Sequence, residues 1–96
     1  MAQDLSNLHP DVQEFVQCLQ RIRRLLVENH ERFWCLRIEK VIQLARKSDG
    51  YSVELFLGFF GGMGSFDDLV LDTTDVANSD LRKEKTKAYQ IAQNLR

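Results

Sequence analysis

Asp67, Asp68, Asp72 and Asp75 fall close together in the middle of a 96-residue chain and are its densest set of chemically capable side chains. Clustered carboxylates bind hard cations and shift one another's pKa values, so the set suits a metal site or an acid–base pair. The spacing does not follow a calcium-loop pattern, no HExxH occurs, and His9 and His30 are both distant in sequence. Acids of this kind otherwise cap helices or form a solvated surface that recognises a basic partner.

The same stretch, FFGGMGSFDDLVLD from Phe59 to Asp72, carries Gly61, Gly62 and Gly64. Such glycines permit positive φ and close main-chain approach, as a phosphate-cradling loop requires. A nucleotide loop would follow a strand and carry Gly-Lys-Ser or GxGxxG. Here the glycines follow a helical pattern, no lysine lies between Lys47 and Lys83, and acids come directly after. The expected arrangement is a helix end followed by a structured turn, with Met63 and Phe66 either packing inward or serving as apolar anchors if exposed.

Cys18, His30 and Cys35 are metal-ligand types, but a closed zinc site takes four ligands, and the chain has no CxxC or HxxxH pair. A cysteine nucleophile would need a neighbouring base and partial exposure. Both cysteines sit among apolar helix neighbours, which predicts buried, reduced thiols. Arg21, Arg23, Arg24, Arg32, Arg37 and Lys40 give the first two helices a basic outer surface that could meet phosphates; only Phe33 and Trp34 interleave with them, and the pI is near 6.1.

The elements that must position these residues are helices. Pro10 suits a first turn, and Val12, Phe15, Val16, Leu19, Ile22, Leu25 and Leu26 recur at spacings of three and four, predicting a helix over about 10–28. Asn29 and His30 interrupt it. Trp34, Ile38, Val41, Ile42 and Ala45 continue the period over about 31–47, until Ser48, Asp49 and Gly50. So short a break predicts an antiparallel hairpin. A short third helix is expected from Tyr51 to Gly61, with Ser52 as a cap, and a last one capped by Asn78 or Ser79 with Leu81, Ala88, Ile91, Ala92 and Leu95 on its apolar face. Residues 73–79 read as loop, and the triplet Leu69, Val70 and Leu71 fits a strand, an extended segment or a helical turn.

The result is one all-α domain over residues 1–96, a compact four-helix unit with an N-terminal hairpin and a glycine-rich structured loop before the last helix. Composition, 44 % hydrophobic and 28 % charged, is that of a globular chain. No apolar run is long enough to cross a bilayer, and the N-terminus has acids where a secretory signal has bases, so a cytoplasmic protein is expected. Charge is blocked: net −3 over residues 1–20, +5 over 21–47, −7 over 48–80 and +4 over 81–96. Such blocks pair within a fold or steer an oppositely charged partner.

Phe60, Gly61, Gly62, Met63, Gly64, Ser65, Phe66, Asp68, Leu69, Val70 and Leu71, followed by Leu81, Lys87, Ala88, Tyr89 and Ala92, resemble an uncharacterised family of small bacterial proteins. That family is marked by a segment close to FGGMGSFNDLVL and a final helix resembling LRxKAYxLA; Trp34 near the start of helix two is similar too. The chain departs from the pattern at Asp67, where the family has asparagine. The resemblance implies a small cytoplasmic bacterial protein of the immunity type. The base-free acidic block and the lack of a recognisable catalytic set then lead to an expectation of a non-catalytic, cofactor-free protein that binds a basic toxin domain through Asp67, Asp68, Asp72 and Asp75. Glu54 stands at the margin, with Met63 and Phe66 as apolar anchors. The alternatives are a nucleic-acid-binding regulator using the basic helices and a small metal-dependent hydrolase using the aspartates. Oligomeric state is open, since an apolar stripe left over on helix one could be buried in a second copy.

Overall fold

The computed structural model describes residues 9–47, 50–60, 65–66, 69–71 and 73–96. Helix α1 (Pro10–Glu28) opens on His9, whose Nδ1 accepts from the Asp11 N–H at 3.1 Å, with Pro10 in the first turn where its missing N–H is harmless. Phe15, Val16, Cys18, Leu19, Ile22 and Leu26 form its fully buried face.

The interruption at 29–30 is a Schellman turn. The N–H of Glu31 donates to the Leu26 carbonyl (2.9 Å) and that of His30 to Val27 (3.2 Å), while His30 adopts φ 59°, the left-handed conformation usually left to glycine. The Asn29 side-chain amide adds a bond to the Leu25 carbonyl at 2.8 Å. These bonds satisfy carbonyls the ending helix would otherwise strand, and the chain reverses into α2 (Arg32–Arg46). Cys35, Ile38, Val41, Ile42 and Ala45 face inward, and Arg23 Nε bonds Glu39 Oε1 at 2.9 Å across the hairpin.

Helix α3 (Tyr51–Leu57) is shorter than its sequence suggests. Gly58 caps it, and Phe59 and Phe60 continue only as tight turns bonded to the carbonyls of Phe56 (3.0 Å) and Leu57 (3.2 Å). Glycine is a poor helix residue, and the turns carry two phenylalanine rings into an aromatic cluster. Ser52 is no cap: it is buried inside the helix, and Gly50 occupies the N-cap position.

Helix α4 (Asp75–Leu95) begins earlier than Asn78 or Ser79. Thr74 caps it, its Oγ1 accepting from the Ala77 N–H at 3.2 Å, with Asp75 in the first turn where the helix dipole favours an acid. The polar run 73–79 reads as loop by composition, yet a Thr-Asp pair is also a helix start, and that signal prevails. Residues 69–71 have no regular structure, and the described residues contain no strand.

Helix α1 packs against both α2 and α4, and α3 bridges α2 and α4. Phe15, Phe56 and Phe66 are the largest fully buried side chains of the shared core. The radius of gyration, 12.8 Å, matches the value of about 13 Å for a globule of this length. The chain is an all-α four-helix domain. Charge blocks pair across it at Arg21–Glu84 (3.0 Å), Lys87–Glu14 (3.6 Å) and Arg96–Glu54 (3.7 Å).

Candidate functional site

The described part of the glycine-rich segment is built around Phe66, which is fully buried. Its ring lies 5.0 Å from Trp34 and 5.8 Å from Phe60, with Phe56 and Phe59 both at 6.4 Å, mostly edge to face. Phe60 in turn meets Tyr89 of α4 at 4.8 Å. The Phe66 N–H donates to the Phe59 carbonyl at 2.9 Å, which brings the two ends of residues 59–66 together.

Two side chains of α4 hold this segment. Lys85, only 6 % exposed, donates from Nζ to the carbonyls of Phe66 (3.1 Å) and Leu69 (3.4 Å), and its ammonium lies 5.3 Å from the Phe66 ring centroid. Hydrogen bonds and ring contact together compensate a buried cation for lost water. Seven residues earlier on the same face, Asn78 clasps Leu71: Oδ1 accepts the Leu71 N–H at 2.6 Å, while Nδ2 donates to the Leu71 carbonyl at 2.9 Å and to Thr74 at 3.2 Å. A side-chain amide thereby stands in for a neighbouring strand. Leu71 is buried beneath it.

Neither Lys85 nor Asn78 stood out as a site residue in the sequence. The available signal was register: Leu81, Lys85, Ala88 and Ala92 form one buried stripe, so the lysine occupies an apolar position.

The described members of the expected partner-binding set, Phe66, Glu54 and Asp75, do not converge. Phe66 is a core residue that holds the segment, so the anchoring role that depended on its exposure does not apply. Met63, Asp67, Asp68 and Asp72 lie outside the described residues. Asp75 is exposed in the first turn of α4, whereas Glu54 is exposed on α3 and paired with Arg96. Helix α4 is about 30 Å long at 1.5 Å per residue, so Glu54 and Asp75 stand near its opposite ends. Val76, next to Asp75 in the first turn of α4, is 71 % exposed, and Val70, next to the clasped Leu71, is 75 % exposed.

The thiols do not converge. Burial pushes the Cys18 thiol above its ordinary value against the pull of Arg21, whose Nη2 donates to Sγ at 3.3 Å; Glu84 of α4 is also close enough to act on it. Cys35 is raised first by burial and then by Glu39, whose Oε1 is 3.7 Å from Sγ. One thiol faces α4 and the other the α1–α2 side, and raised, buried thiols make poor nucleophiles. His9 caps α1, and His30 forms the hairpin turn. Among the described residues, no three or more His, Cys, Asp or Glu side chains group so as to hold a metal.

The basic residues of the hairpin divide as well. Arg21 turns to Glu84 on α4, Arg23 to Glu39 on α2, and Arg37 stacks on the exposed Phe33 ring at 3.6 Å. Among the described residues, no helix is long and apolar enough to cross a membrane.

An all-α domain in which a buried lysine and an asparagine of the last helix secure a glycine-rich segment is the class that fold and site define. A sequence model described as a domain of unknown function, DUF6966, matches residues 27–78, more than half of the chain, and the chain belongs to that family. The matched region runs from the end of α1 to the clasp residue Asn78. No curated protein and no solved structure matches the chain.

Proposed function

We propose that this chain is a non-catalytic binding protein, an immunity protein that neutralises a cognate bacterial toxin by occluding a basic domain of it. The observation that carries this reading is the exposure of Val76 and Asp75 in the first turn of α4 and of Val70 next to the clasped Leu71, with Asp80 exposed further along the same helix. Exposed apolar side chains together with acids are a docking composition: the apolar groups give affinity, and the acids speed encounter with a basic partner. The clasp of Asn78 on Leu71 keeps Val70 beside that first turn. Asp67, Asp68 and Asp72 extend the acidic sequence next to it, while Val70 and Val76 take the anchoring role first assigned to Phe66.

The test is to purify the full chain from its native host with whatever protein accompanies it, and to measure that partner's association rate at several salt concentrations. Charge reversal at Asp67, Asp68, Asp72 and Asp75 together is expected to slow association at least about tenfold at low salt and to flatten the salt dependence. Glu54→Lys, near the far end of α4, should leave both unchanged. Unchanged affinity and salt dependence in the four-site variant would overturn the reading.

A further inference from the structure

Between α1 and α2, away from the aromatic segment, a cleft of about 550 Å³ is lined by Gln20, Arg23 and Arg24 on one side and Glu39, Ile42, Gln43 and Arg46 on the other. Its volume lies within the range of small-molecule sites. Glu39 is committed to Arg23 at 2.9 Å, so Arg24 and Arg46 supply the net positive charge. Arg46 Nε is buried and has no hydrogen-bond partner among the described residues. A guanidinium N–H removed from water normally finds an acceptor, because an unmatched buried donor is unfavourable.

We infer that this cleft is a binding site for a phosphate-bearing small molecule of up to nucleotide size. Two guanidinium groups present forked donors that match phosphoryl oxygens, and once the Arg46 side chain turns so that Nε reaches the cleft, a bound phosphate would supply the acceptor that this atom lacks from the protein. Gln20 of α1 and Gln43 of α2 line the same cleft with amides that can donate to further oxygens or meet polar edges of the attached group, and Ile42 adds an apolar contact. The net positive charge of the lining favours an anion over a cation or a neutral ligand. This site is independent of the acidic surface at the start of α4.

Isothermal titration of the full chain with ADP and with inorganic pyrophosphate, each against a sulfate control, tests the inference. ADP is expected to bind in the micromolar to sub-millimolar range, with affinity falling at least about tenfold in Arg46→Ala and in Arg24→Ala. Arg46→Lys, which keeps the charge and loses the fork, should fall severalfold if the forked geometry matters. Circular dichroism of each variant confirms that it is folded. Lys83→Ala, on α4, should bind as the parent does. Pyrophosphate binding as tightly as ADP would place recognition in the phosphoryl groups alone, and tighter ADP binding would add Ile42 and the glutamines; either supports the site. Binding that survives both arginine substitutions, sulfate binding equal to both phosphates, or no binding of either phosphate up to about 5 mM would overturn it.

Discussion

Lys85 illustrates how one charge organises a segment that cannot organise itself. A stretch rich in glycine has much conformational freedom to lose on folding, and the carbonyls of Phe66 and Leu69 need partners once they are covered. The ammonium supplies bonds to both from a helix that the core already fixes. Lys85→Met keeps the length and apolar stem and removes the donors. We expect a loss of about 2–4 kcal/mol in urea unfolding, against less than about 0.5 kcal/mol for the exposed Lys83→Met. Sequence reading misses this role because a lysine in a helix ordinarily faces solvent; only its register with Leu81 and Ala88 shows otherwise. Phe66 was legible as an aromatic in an unusual segment, but its burial follows from contacts with α2 and α3 that spacing along the chain does not contain.

At the scale of elements, the hairpin is legible in the sequence. The 3.6-residue period of α1 and α2 is long and regular, and Asn29 and His30 mark the break. The last two helices are less legible because their ends are set by local competition. Gly58 ends α3 before the apolar pattern does, and Thr74 starts α4 inside a run that looks like loop. The turn between α1 and α2 carries its own strain, since His30 holds φ 59° with a side chain attached. His30→Gly should raise stability by about 0.5 kcal/mol, the relief of that conformation being partly offset by greater freedom in the unfolded chain, whereas the β-branched His30→Val should lower it by about 1 kcal/mol or more. Thermal unfolding of the pair would read both.

For the molecule as a whole, the blocked charges noted in the sequence are partly spent inside the fold, where Arg21, Lys87 and Arg96 each meet an acid from a distant block. These are surface pairs that contribute about 1 kcal/mol or less apiece, so the packed core remains the dominant source of stability. The core also sets a pH limit through its thiols. Unfolded cysteines ionise near pH 8.5, whereas burial holds Cys18 and Cys35 protonated to higher pH. The folded state therefore keeps protons that the unfolded state releases. Their contribution is fully present below the unfolded pKa and is lost as pH rises above it toward the folded values. The urea midpoint should fall between pH 7.5 and 9.5, and the fall should be smaller in a Cys18→Ala, Cys35→Ala double variant.

The chain has one tryptophan, and it is in contact with the aromatic cluster around Phe66: Trp34 lies 5.0 Å from the Phe66 ring and 5.4 Å from Phe59. Ultraviolet emission from that single indole is therefore an optical gauge of the molecule's middle. Water reaching the ring as Phe66 lifts away shifts the colour of the light it returns, and no attached dye is needed to see it.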